Sequence, residues 1–177
     1  MEEKIELSSE CKKKLLDPKL IPKTLRVHGQ DYTVEKPVDA GLKGVVWRVQ
    51  DNIGRPRAIK LAVVEDYEDQ NRTYQQEILW ADMLANTNRF ARLLDGAVEE
   101  VYFQDGSKEK FVCFVEDWVD GTPLQKFLVH HVNDITVTFL CSYIEAMMEA
   151  LAHLDARQLR HDDLHSGNVM VCPPMQG

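Results

Sequence analysis

The 177-residue sequence predicts an α+β protein: a five-stranded antiparallel sheet carrying one crossing helix, followed by the first helices of a second, helical lobe. Three observations carry that expectation. From Thr24 onward, short runs of alternating apolar and polar residues are separated by turn sequences. One window, Tyr67 to Asn86, instead repeats Tyr74, Ile78, Ala81, Leu84 and Ala85 at helical spacing. After Asp120 and Gly121 the pattern becomes helical again and runs into a compact polar loop, "HDDLHSGN", before the apolar "VMV".

Taken in order, Glu2 to Leu16 is charged, with Ile5, Leu7, Leu15 and Leu16 interspersed, and Pro18 and Pro22 close it off. It reads as a short amphipathic helix and linker, an accessory or partly frayed extension over residues 1–23. Strands follow in "TLRV", "DYTVEKPV", "GVVWRVQD" and "RAIKLAVV", with turns at "HGQ" and "NIGRP". Beyond the Tyr67 to Asn86 helix come "FARLLDGAVEEVYFQ" and "KFVCFVEDWV", joined at Asp105 to Ser107. Residues 24–119 thus form one lobe with its connecting segment, and residues 120–177 begin another. In that second part, "PLQKFLVHHV" is short and amphipathic, whereas Ile135 to Leu154 is so rich in Leu, Met and Ala that it is expected to be buried.

Composition narrows the function classes. Acidic residues outnumber basic ones by 29 to 21, for a net charge of −8, so no basic stripe is available for a polyanion and nucleic acid is not expected as a partner. Cys11, Cys113, Cys141 and Cys172 are scattered without a CxxC pair, and the N-terminus lacks an apolar signal core, which points to free thiols in a reducing cytosol. No apolar run is expected to approach the ~20 residues of a membrane span.

Several stretches carry chemistry. "DAGLKGVVW" spaces Gly41 and Gly44 three apart with Val46 beyond, small residues that let backbone amides approach an anion; an ordinary hairpin turn has the same look. Lys60 in "RAIK" alternates with Ile59 and Leu61, so its ammonium faces away from them, either toward phosphate oxygens or merely into solvent. Glu77, beside the apolar stripe of its helix, is the partner that would hold such a lysine. In the closing loop, Asp163 precedes His165 by two residues and Asn168 by five. A carboxylate there can take a hydroxyl proton, and an amide oxygen suits Mg²⁺.

In this order the motifs resemble the protein-kinase-like superfamily, from about Thr24 to Val171. The resemblance implies a kinase-like fold and an ATP-dependent phosphotransferase that uses ATP and Mg²⁺ and acts on a hydroxyl of a protein or small molecule. It further implies that Gly41 and Gly44 cover the phosphates, with Asp39 where the first glycine is expected, and that Val46 roofs the adenine. By the same resemblance, Lys60 is expected to contact the α- and β-phosphates with Glu77 as its partner, Glu116 to be the gatekeeper, and Asp117, Trp118 and Val119 to lie beside the adenine. Asp163 is then the catalytic base and Asn168 a metal ligand.

There are departures. Asp162 replaces the usual arginine, so activation by loop phosphorylation is not expected, and His165 replaces a common lysine, bringing "DLHSGN" closer to small-molecule phosphotransferases. With Glu116 and the missing first glycine, these also fit a pseudokinase-like nucleotide-binding module. The Asp-Phe-Gly segment that the resemblance implies is not found between Asp163 and Gly177, and the chain is expected to be an inactive fragment that self-associates through Leu140, Ile144, Met147, Met148 and Leu151. A metal-dependent hydrolase using His161, Asp162 and His165 is the third reading.

Overall fold

A computed structural model describes residues 7–41, 44–64, 79, 83–84, 87–161 and 164–173. The chain divides into two compact units, residues 1–82 with 92–118, and residues 83–91 with 119–177. Most of the helix expected over Tyr67 to Asn86 lies outside the described residues.

The first unit is built on an antiparallel sheet whose strands are β1 (Thr24–Val27), β2 (Gln30–Ala40), β3 (Gly44–Gln50), β4 (Pro56–Val63), β5 (Leu93–Tyr102) and β6 (Lys108–Asp117), in the order β1-β2-β3-β4-β6-β5. It therefore has six strands where five were expected. All six strand runs read from the sequence join the sheet, and the short β1, the run "TLRV", adds to the free edge of β2 with Leu25 opposite Tyr32 and buries Leu25 and Val27 by strict alternation. His28 and Gly29, both at positive φ, make the turn between them. The register of β2 on β3 shifts on either side of Pro37, whose ring nitrogen cannot donate to a ladder.

Alternation divides the sheet into two faces. Val45, Trp47 and Val49 of β3, Ile59 and Leu61 of β4, and Cys113 and Val115 of β6 all point to one face and are fully or almost fully buried. Covering that face is helix α1 (Ser9–Leu16), capped by the Ser8 side chain, which accepts the Cys11 N–H at 3.1 Å. Leu15 of this helix has no exposed surface, and the Trp47 indole N–H donates to the Leu15 carbonyl at 3.0 Å. The N-terminal helix is thus part of the core and not a frayed extension. What anchors it is a specific pairing of an apolar side chain and an indole donor with a face that the sheet would otherwise leave wet.

The second unit holds helix α2 (Leu124–His130), a single 3₁₀ turn (Val132–Asp134), helix α3 (Val137–Asp155) and a two-stranded ladder, β7 (Thr122–Pro123) on β8 (Met170–Val171). Gly121 sits where a side chain cannot: a Cβ would lie 2.8 Å from the Val171 carbonyl oxygen. Within this unit Arg89 pairs with Glu149, and the Arg157 guanidinium donates to the Met83 carbonyl at 2.8 Å.

Helix α3 was expected to be a buried helix, but also to leave Leu140, Ile144, Met147, Met148 and Leu151 partly uncovered. Only Leu154 is buried, and Leu140, Ile144, Met148 and Leu151 are exposed, Met148 by 66%. No described element covers that face. By length and composition α3 is also long and apolar enough to cross a membrane, which corrects the expectation that no run comes near a span: Ala, Met and Cys raise its hydropathy although Glu145 and Glu149 interrupt it.

Leu15→Ala is predicted to lower the stability of the first unit by about 2–5 kcal/mol, whereas Leu16→Ala, on the exposed side of the same helix, stays within about 0.5 kcal/mol. Urea unfolding followed by tryptophan fluorescence measures both.

Candidate functional site

In the first unit, the chemistry-bearing residues lie on the sheet face opposite Trp47. Antiparallel pairing places Val46, Lys60, Phe114 and Gly96 in one row across β3, β4, β6 and β5. The adjacent row is Arg48, Ala58, Glu116 and Leu93. Lys60 is exposed, with its ammonium 5.9 Å from the centroid of the Phe114 ring. Ile59 and Leu61 on either side of it are fully buried, so the backbone pleat alone sends the lysine outward.

The glycine turn closes the β2–β3 hairpin. The Gly41 N–H donates to the Gly44 carbonyl at 2.9 Å. Among the described residues, a Cβ on Gly41 would meet nothing nearer than the Gly44 oxygen at 3.9 Å. Gly44 is different: a Cβ there would lie 2.4 Å from the Leu61 carbonyl oxygen, so the residue is small because β4 runs against it. Leu42 and Lys43 lie outside the described residues, as do Glu77, Asp162 and Asp163.

The end of β6 is held on both faces. Asp117 turns toward the core side, where the Arg57 guanidinium bridges it to Asp51. Asp51 is buried and also accepts the N–H groups of Arg55 at 2.8 Å and Ile53 at 3.1 Å. Burial alone would push its carboxyl up, but these two N–H donors and the Arg57 guanidinium outweigh it and hold the carboxyl below its usual range. On the other face Trp118 lies under Arg48, whose guanidinium carbon is 4.8 Å from the ring centroid. The Arg48 Nε is 2.8 Å from a Glu35 oxygen but makes no aligned hydrogen bond, so that contact is an ion pair. Glu116, half-buried, shares the open face with Ala58.

In the second unit, Val119 is half-buried, and residues 164–169 form a loop fastened to the start of α2. The Leu124 N–H donates to Val169 at 2.7 Å and the Gln125 N–H to Ser166 at 3.0 Å. Inside the loop the Asn168 N–H donates to the His165 carbonyl at 2.9 Å, and the Gly167 N–H donates to His165 Nδ1 at 3.0 Å. Asn168 is exposed at the end of this turn. Nδ1 of His165 is therefore occupied by the turn, and the Nδ1 of His161 is buried without a hydrogen-bond partner among the described residues. Among those residues no group of three His, Cys, Asp or Glu side chains is arranged to hold a metal.

Sequence reasoning passed over Ala58, Arg57 and Arg48. Ala58 was legible: it lies two residues before Lys60, so it shares the lysine's face, and its small side chain leaves room beside Val46. The two arginines act through partners distant in sequence.

Compared with known families, residues 33–176 match the protein tyrosine and serine/threonine kinases, and the chain belongs to that family. A search among curated proteins finds no match. The matched region begins inside β2, so α1 and β1 lie ahead of it.

The Asp51 carboxylate predicts an acid-sensitive first unit. Because its folded pKa is depressed, its contribution is fully present above the ordinary value of 3.8 and is lost as pH falls through the folded value. The stability gap between the unaltered chain and Asp51→Asn should be widest near neutral pH and close below pH 3.8. A gap independent of pH in urea titrations would contradict it.

Proposed function

We propose that the chain is the nucleotide-binding and catalytic-loop portion of an ATP-dependent phosphotransferase that moves the γ-phosphate to a hydroxyl acceptor. The observation that carries this reading is the outer face of the first unit, where half-buried Val46 and Ala58 and the exposed Lys60 lie on adjacent cross-strand rows beside Gly41. Apolar Val46 and Ala58 suit a purine ring; Lys60 and the Gly41 backbone suit phosphate oxygens. Asn168, an exposed residue, carries an amide oxygen, the donor type that Mg²⁺ prefers. When bound, the metal supplies charge neutralisation to the phosphates. Asp163 is read as the acceptor of the hydroxyl proton, and Glu77 as the carboxylate that orients Lys60. Asp117, Trp118 and Val119 are read as the segment beside the base, with Glu116 behind it.

A second reading, nucleotide binding without transfer, draws on Glu116 sharing that face. Four unpaired cysteines support a reducing, cytosolic setting. The acceptor is read as a protein or a small molecule bearing a hydroxyl.

Calorimetry with ATP, with and without Mg²⁺, is the test. Lys60→Met should weaken ATP binding about tenfold without changing the melting temperature, since the lysine is exposed. Where turnover is measurable, Asp163→Asn should lower it about a hundredfold or more. Unchanged affinity in Lys60→Met would make the lysine a surface residue and end the reading; binding without any turnover would favour the second one.

A further inference from the structure

Helix α1 lies ahead of the region that matches the kinase family, so membership of that family does not account for what the helix touches. It carries three successive lysines. Lys13 is exposed, while Lys12 and Lys14 are half-buried and carry their ammonium groups back to the sheet. Lys14 reaches the β5–β6 turn, donating to Ser107 Oγ at 3.1 Å and lying 3.5 Å from Asp105. Lys12 reaches the glycine turn, donating to the Gly41 carbonyl at 3.0 Å. Gly41 is also the residue whose N–H closes that turn on Gly44, so tether and turn meet in one residue.

The helix is a firm base for such a tether. Leu15, one turn further along, is fully buried, and the Trp47 indole fixes the Leu15 carbonyl at 3.0 Å. Glycine has the widest conformational freedom of any residue, and a ligand that must order it spends binding energy in doing so. A cation held on its carbonyl removes part of that freedom beforehand.

We propose that Lys12 is a positioning residue: through the Gly41 carbonyl, helix α1 restrains the Gly41 backbone and so raises the affinity of the site for a nucleoside triphosphate. The proposal rests on the nucleotide-binding reading above. Lys12 itself touches no ligand.

The experiment compares the unaltered chain with Lys12→Met, Lys12→Arg, Lys14→Met and Lys60→Met. Hydrogen exchange of the Gly41 amide is followed without ligand, and MgATP affinity is measured by calorimetry. Lys12→Met should speed exchange about fivefold and weaken MgATP about fivefold, at an unchanged melting temperature. Lys12→Arg should restore both, and Lys14→Met should alter neither. Exchange at the unaltered rate in Lys12→Met would overturn the inference. So would MgATP affinity unchanged in Lys12→Met but weakened in Lys60→Met, a result that leaves the nucleotide reading standing. A loss that comes with a lowered melting temperature and is not restored by arginine would make Lys12 structural and also overturn it. If the unaltered chain binds no MgATP, the nucleotide reading falls and the affinity claim with it, while ligand-free exchange still decides whether the tether holds the turn.

Discussion

The burial of Trp47 beneath helix α1 is the constraint on which the first unit depends. Its indole N–H has an acceptor in the Leu15 carbonyl and its ring has no exposed surface, so β3 can present only one face to the core. Strand side chains alternate, and once Trp47 points inward, Val46 must point outward. Pairing transmits that choice to β4 and β6, fixing Lys60 and Phe114 on the outer face. A slip of one residue would exchange Ile59 and Leu61 for Ala58 and Lys60, burying an ammonium and exposing two fully buried aliphatics. The orientation of the candidate site is thus a consequence of core packing on the far side of the sheet.

The segment that ends β6 is fixed by a different device. Arg57 of β4 draws the Asp117 carboxylate to the core side, where Asp51 completes the bridge, and Arg48 of β3 covers the Trp118 ring on the open side. Two arginines from neighbouring strands therefore clamp consecutive residues from opposite faces. Each guanidinium is further held by a carboxylate, Asp51 for one and Glu35 for the other. This stiffens the stretch read as lying beside the nucleotide base without using any of its apolar surface.

Local patterns made much of this legible. The alternation in "GVVWRVQD" and "RAIKLAVV" yields the strands and the outward lysine, and "DGS" yields a turn in which Gly106 takes a positive φ. What was not legible depends on contacts between distant residues. Nothing near Gly44 in the chain announces that Leu61 will lie against it, and the reach of Arg57 to Asp117 spans sixty positions. "TLRV" is too short to predict its own place at an edge, which is decided by what β2 leaves unpaired. The site residues Glu77 and Asp163, and most of the window expected to be helical around the first of them, lie outside the described residues.

The two best-defined helices show why composition is a weak guide to burial. Half of helix α1 is charged, yet a single leucine at the right place, with an indole donor waiting for its carbonyl, makes it part of the core. Helix α3 is apolar along its length, yet among the described residues nothing covers Leu140, Ile144, Met148 or Leu151. Hydropathy records what a helix could bury if a complementary surface were present. Whether one is present is a property of the rest of the fold, and for α1 that surface was created by the alternation of β3, a feature encoded more than thirty residues away.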